Sequence, residues 1–294
     1  LVGKAFGVLK LRGLPVDVSL PRRESKAGLG HKGFAVQSDP GLAPEAAARR
    51  RDFTINAMAY DPETETLIDP VGGLRDLRNR VLRHVSGAFA EDPLRVLRGM
   101  QFVARFDLAP APETVALCRR MTPEGLPGER LFEEWRKLLV KGRAIGAGLA
   151  FLQAAGWTRY VPELAVLIGC EQEPEWHPEG DVWTHTRHCL DAFARERLGD
   201  PEEDLVVGFG VLCHDFGKPG TTVRSLGRIR SKGHCEAGAA PTRSFLSRLA
   251  APRDLVAAVV PLVVEHLRPR LLYTEGAGDA AVRRLAARVG RIDR

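Results

Sequence analysis

His185, His214, His234 and His266 are separated by 29, 20 and 32 residues, and Asp215 follows His214 directly. Imidazole is the commonest metal ligand at neutral pH, and an adjacent His-Asp pair presents a nitrogen and a carboxylate together to one or two divalent ions. One such pair is a weak signal, and the outlying histidines, each on an expected helix or its edge, give it weight. His177 and His188 lie in the same stretch and read as structural. A second candidate is Asp17, in Val16-Asp17-Val18 after Gly3-Lys4-Ala5-Phe6-Gly7. Carboxylates at strand ends hold the metal ions of a two-metal nucleotidyl transfer. Asp17 is placed for that work, which needs further carboxylates; an acid exposed on an edge strand is the alternative. In Arg49-Arg50-Arg51-Asp52 the guanidinium forks match phosphate oxygens, and Asp52 can fix one fork by an ion pair. A solvated basic face is the alternative there.

The longest such stretch is Glu91-Asp92-Pro93-Leu94-Arg95-Val96-Leu97-Arg98-Gly99. Acids followed by Pro93 make a helix start, which puts Asp92, Arg95 and Gly99 on one face. Asp92 can then accept from an exocyclic amine while Arg95 donates to a ring nitrogen or carbonyl, a pairing that reads a base edge. Ordinary charge pairing along a helix is the competing account.

The elements that must position these groups change character along the chain. Phe6 to Leu11 and Pro15 to Leu20, joined at Arg12-Gly13, predict a β-hairpin. Apolar recurrence at helical spacing predicts helices over Asp52 to Ala59, Asp92 to Phe106, Glu113 to Met121, Arg130 to Lys141 and Ala144 to Ala155. Helices dominate from there on, and the proline-bearing, acidic stretch Pro162 to Gly180 marks a domain boundary. The expected class is α+β: a β-containing head over 1–80, a helical neck over 81–165 and an all-α domain over 166–294.

With 294 residues and 44% hydrophobic content the chain can bury more than one core. No apolar run is long enough for a membrane span. The five cysteines are odd in number and form no CxxC pair, which argues against a disulfide framework and for the cytoplasm. Net charge is +6, and residues 1–60 carry ten Lys/Arg against five Asp/Glu, a balance that suits a polyanion such as RNA or nucleotide phosphates. A start without Met and an abrupt end at Arg294 suggest a fragment.

RRRDFTINAMAYD, IDPVGGLRDL and LRHVSGAFAEDPLRVLRGMQFVARF, in this order across Arg49 to Phe106, resemble the bacterial class of CCA-adding tRNA nucleotidyltransferases and the related poly(A) polymerases. The resemblance implies a polymerase-β-like head, Mg²⁺ for nucleotidyl transfer, and tRNA, CTP and ATP as partners. It places Arg51 on the nucleotide, makes Asp92 and Arg95 the amino-acid template that selects CTP or ATP, and gives Arg98 phosphate or ribose contacts. Gln101 stands where the family often has a further arginine. The family's LVGGxVRD loop and DxD pair would precede the segment at which this sequence starts.

The later run WHPEGDVWTHTRHCLDAF, GVLCHDFGKP, KGHCEAGA and VVEHLRP resembles the HD phosphohydrolase superfamily, and its start resembles HD domains fused to CCA-adding enzymes. That resemblance implies a divalent metal (Mg²⁺, Mn²⁺, Ni²⁺ or Co²⁺) on His185, His214 and Asp215. Lys218 and His234 would lie near a phosphate, and His266 would be a further ligand or acid. The superfamily's later aspartate has only Asp293 as a counterpart here. A polynucleotide adenylyltransferase, and an RNA-binding HD hydrolase with a degenerate transferase head, are the alternatives.

Overall fold

The computed structural model describes the backbone of residues 8–10, 17–19, 22–26 and 34–290, with side chains at Val18 and over 39–290. Val8–Lys10 (β1) pairs antiparallel with Asp17–Ser19 (β2), as the hairpin pattern predicts, and Arg22–Lys26 (β3) pairs with Phe34–Ser38 (β4). Pro44–Ala48 (α1) leads to a short 3-10 turn at Thr54–Asn56 and a hairpin of Ala59–Asp61 (β5) with Thr66–Ile68 (β6). Gly73–Arg78 (α2) and Val81–Leu82 (β7) precede the long helix Leu94–Phe106 (α3). Ala109–Pro110 (β8) then returns parallel to β7, followed by Pro112–Arg119 (α4).

Helices follow as expected: Gly128–Lys141 (α5), Ile145–Ala154 (α6), Pro162–Ala165 (α7), Val182–Arg195 (α8), Pro201–Cys213 (α9) and Lys218–Thr221 (α10). One hairpin, Thr222–Ser225 (β9) with Arg228–Ser231 (β10), interrupts a region expected to be all-α. Its two-residue turn places Leu226 at φ 53° and Gly227 at φ 75°, the doubly left-handed backbone that joins twisted strands. His234–Ala237 (α11), Ala239–Arg248 (α12), Arg253–Glu265 (α13), Arg268–Thr274 (α14) and Asp279–Val289 (α15) complete the described chain. None of the described helices is long and apolar enough to cross a membrane.

Asp52 to Ala59 departs from its helical pattern. Asp52 Oδ1 accepts from Phe53 N and Asn56 Nδ2, and Thr54 N donates to Arg83 O. Those bonds satisfy the backbone outside a helix, so only the 3-10 turn remains.

The chain divides into two compact units: residues up to Arg95 with Leu108–Leu126, and Val96–Asp107 with the residues from Pro127 on. The neck expected at 81–165 is shared out between them. Most of α3 belongs to the second unit, where Arg143 N and Ala144 N both donate to Ala104 O. A side chain at Gly148 would meet Met100 O at 2.7 Å, so α6 lies against α3 backbone to backbone.

In the first unit Phe53, Leu82 and Phe89 are fully buried, with the Phe53 and Phe89 rings edge to face at 5.3 Å. Thr54 Oγ1 donates to buried Asp76, which also pairs with Arg83 Nε at 3.1 Å. The second unit is built around α9, buried along most of its length and packed by α5, α8 and α13. Asp200 caps α9 by accepting from Glu202 N and Glu203 N, and these acids suit the positive end of the helix dipole. The opposite end of this central helix delivers His214 and Asp215.

Candidate functional sites

Four helix segments of the second unit bring the sequence's histidines together. His214 caps the C-terminus of α9, His266 that of α13, His234 opens α11, and His185 lies in the first turn of α8, whose start is fixed by Asp181 accepting from Thr184 N. Asp215 Oδ2 lies 3.2 Å from His214 Nε2 and 3.8 Å from His185 Nε2; its Oδ1 lies 3.5 Å from His234 Nε2. His234 Nε2 and His266 Nε2 are 3.3 Å apart.

The opposite ring nitrogens are all engaged. Nδ1 of His214, His234 and His266 each lies 2.7 Å from the carbonyl three residues earlier, Val211, Ser231 and Val263. A carbonyl only accepts, so Nδ1 carries a proton in each case, and a neutral ring then presents an Nε2 lone pair to the centre; at His214 burial opposes the charged form, but the adjacent Asp215 outweighs it and raises the pKa. For His214 and His266 the accepting carbonyl is one that a helix end leaves without an intrahelical partner. His185 Nδ1 lies 2.6 Å from Glu179 Oε1, which also receives His177 Nδ1 at 3.0 Å. Second-partner bonds of this kind orient imidazoles for metal ligation.

The electrostatics fit a cation. Asp215 is 1% exposed, and neither of its oxygens has a well-directed hydrogen bond, although Lys218 Nζ lies 2.9 Å away and also donates to Gln172 Oε1 at 2.6 Å. Burial works to raise the Asp215 pKa, but His214 and Lys218 outweigh it and hold the carboxyl well below its usual range. Burial likewise opposes the ionised form of Glu179, yet its backbone and histidine hydrogen bonds bring it down to about 2. Burial, the main cause, lowers His266 to about 4. Four convergent nitrogens and a buried carboxylate form a donor set suited to a divalent ion. Lys218, expected near a phosphate, pairs with Asp215 and donates to Gln172.

A cavity of about 820 Å³ opens beside this centre, bordered by Cys189, His214 and His266 and walled by apolar residues such as Phe193, Leu262 and Leu285. His188, on the same helix as His185, is exposed. Asp293 lies outside the described residues.

The residues expected to contact the nucleotide occupy the first unit, with one exception. Pro93 disfavours helical backbone at the residue before it, and Asp92 is accordingly extended, at φ −123°. It does not share a face of α3 with Arg95 and Gly99; it caps the helix, its Oδ1 accepting from Leu94 N at 3.1 Å. Arg95 donates through Nη1 to Ala88 O and through Nη2 to Arg50 O, each at 2.8 Å. Arg50 in turn pairs with Glu91 at 2.9 Å, and Arg51 is exposed. Arg98 falls in the second unit, over the Phe102 ring at 5.2 Å and 4.0 Å from Glu134. Gln101 is buried and accepts from Arg105 Nη1. Asp17 is the first residue of β2; its side chain lies outside the described residues.

Glu179, Gln172, Cys189 and Cys235 border the centre without a role expected from the sequence. A local signal existed for two of them. Cys189 is four residues from His185 on one helix, and Cys235 follows His234 directly.

The model of the poly A polymerase head domain matches residues 16–83. The chain is 41% identical over 273 residues to a multifunctional CCA protein of Stenotrophomonas maltophilia, covering 90% of this chain and 66% of that protein. It is 41% identical over 276 residues to the protein of the same description from Xanthomonas campestris pv. campestris, covering 90% and 65%. Among solved structures it is similar to the Bacillus stearothermophilus CCA-adding enzyme in complex with CTP, with a TM-score of 0.63 and 25% identity over 97% of this chain and 60% of that one. The chain thus spans just under two thirds of the length of these curated relatives.

Proposed function

From 41% identity over 90% of the chain to a multifunctional CCA protein, we propose that the chain belongs to the family of CCA-adding nucleotidyltransferases and poly A polymerases, that the protein adds C, C and A to the 3′ end of tRNA from CTP and ATP, and that its second unit hydrolyses phosphoesters at a divalent metal centre. The 41% identity over 90% of the chain to a multifunctional CCA protein carries the first half. The converging Nε2 atoms around Asp215 carry the second.

For transfer, this chain's own residues read the nucleotide. Arg95, braced on the Ala88 and Arg50 carbonyls, is held rigidly enough to act as a donor of fixed direction, and Asp92 supplies the acceptor. Arg51, exposed on the loop before Asp52, is available to a phosphate. Two-metal transfer requires a set of carboxylates, which Asp17 alone does not make. Mg²⁺ remains the cofactor proposed for this half.

In the second unit His185, His214, Asp215, His234 and His266 would hold the ion. When bound, it supplies Lewis acidity toward a phosphoryl oxygen and acidifies water. The chain's residues do the rest: Glu179 orients His185, the Val211, Ser231 and Val263 carbonyls fix the other rings, and Lys218 keeps Asp215 ionised. The adjoining apolar cavity takes the organic part of the ester and excludes bulk water. Free thiols on all five cysteines suit the cytoplasm.

The test is extension of a tRNA lacking its CCA end by the complete protein with labelled CTP and ATP; failure to incorporate either nucleotide overturns the transferase reading. Replacing His214 and Asp215 together by alanine should remove hydrolysis of 2′,3′-cyclic or 2′-phosphate substrates while sparing extension. Unchanged hydrolysis overturns the second half.

A further inference from the structure

Two thiols flank the histidine centre, one on each side. Cys189 Sγ lies 3.4 Å from His185 Nε2, and the ligand atoms of His185, Cys189 and His214 all fall within 4.8 Å of one another. Cys235 Sγ lies 3.8 Å from His234 Nε2, and His234, Cys235 and His266 form a second set within the same limit. Asp215 sits between the sets: Oδ2 faces His185 and His214, Oδ1 faces His234. We propose that the centre is a two-cation site with one thiolate on each ion: Cys189 beside His185 and His214, Cys235 beside His234 and His266, and Asp215 shared between them. This rests on the reading of the centre as a metal site.

The separations support it. Around a tetrahedral ion with metal–nitrogen bonds of about 2.0 Å and metal–sulfur bonds of about 2.3 Å, nitrogens stand about 3.3 Å apart and a nitrogen and a sulfur about 3.5 Å. The His234–His266 and Cys189–His185 separations of 3.3 and 3.4 Å correspond to those edges, and 3.8 Å at Cys235 lies a little beyond. With both rings neutral the two facing lone pairs repel at 3.3 Å, and a metal ion between them, like a shared proton, relieves that repulsion. Each set offers three ligands and the shared Asp215 a fourth, so a phosphoester oxygen or water would be taken by expansion to five-coordination. As each sulfur–metal bond forms, the S–H proton passes to solvent. Two divalent ions against two thiolates and one carboxylate leave the centre net positive, which suits an anionic phosphoester. Thiolate ligands shift selection toward Zn²⁺ or Co²⁺ and away from Mg²⁺.

Cobalt(II) titrated into the metal-stripped full chain tests this. The expected result is two ions bound per chain, with a near-ultraviolet thiolate-to-cobalt charge-transfer band. Cys189→Ser and Cys235→Ser should each remove about half of that band and the double variant all of it, while Cys170→Ser leaves it unchanged. The wild-type spectrum is decisive without any variant. Cobalt bound with no charge-transfer band, or only one ion bound, overturns the two-thiolate site and leaves the histidine metal centre standing. No cobalt bound at all overturns both.

Discussion

His234 Nε2 and His266 Nε2 face each other at 3.3 Å, while each ring's Nδ1 donates to the carbonyl three residues before it. With both rings neutral, neither facing nitrogen carries a proton, and the contact is a pair of acceptors that a cation between them would join. The backbone bonds that set this tautomer belong to the second unit's own helix ends, and the site is therefore prepared by folding rather than by its ligand.

An ion that binds only the folded unit stabilises it by about 2.7 kcal/mol at a hundredfold excess over Kd, or about 5–10 °C for a domain of this size. Thermal unfolding of the chelator-treated chain with and without Co²⁺ should show that rise, and His266→Ala should remove most of it. An equal rise in His266→Ala would place the ion elsewhere.

Asp92 both caps α3 and offers the acceptor assigned to base reading, and the two roles separate by substitution. Asn caps nearly as well as Asp but adds a donor. Asp92→Asn should therefore keep the thermal midpoint while nucleotide selectivity falls on the order of tenfold, scored as the ratio of correct to incorrect incorporation in single-nucleotide extension. Unaltered selectivity would reduce Asp92 to a cap.

Glu163 is buried and receives Arg248 Nη1 at 2.8 Å, with Nη2 on its other oxygen. Burial works to raise its pKa, but the Arg248 hydrogen bonds outweigh it and hold the carboxyl below the usual value. A depressed folded pKa means stability that is present above the unfolded value of about 4.3 and lost as pH falls through the folded one. Glu163→Gln should cost about 1 kcal/mol at neutral pH, Arg248 being partly exposed. The gap should close as pH falls below the ordinary carboxylate range, measured by denaturant midpoints across pH. A gap constant down to pH 2 would rule out the ionic contribution.

A Cβ at Gly217 would lie 2.0 Å from His234 O, whereas one at Gly220 would meet nothing within 4 Å. Gly217→Ala must push α11 away from the centre, costing roughly 1–3 kcal/mol and weakening cobalt affinity by at least about tenfold. Gly220→Ala is the matched control. Equal affinities in the two variants would show that His234 is not a ligand.

Local patterns were readable where the determinant was local. The hairpin of β1 and β2, the helices α3 to α6 within two residues, and the five polar members of the histidine centre all follow from periodicity or residue type. Asp52 to Ala59 was not readable as a non-helix, because the bonds that dissolve it come from Arg83 and from its own Asp52 carboxylate. Nor was the placement of Asp92, where the restriction imposed by Pro93 overrode the helical face that spacing suggests.

By itself the sequence determined the family resemblance, the chemistry-bearing residue types and the order of strands before helices, since these depend on neighbours along the chain. Only the tertiary structure decided which nitrogens of the histidines face inward, that Lys218 serves Asp215, and that Cys189 and Cys235 stand beside the same centre as residues up to 77 positions apart, from His266 back to Cys189. The physical reason is one of range. Ligand sets and tautomers are fixed by contacts of a few ångströms between separate helices, and those distances exist only once α8, α9, α11 and α13 have packed.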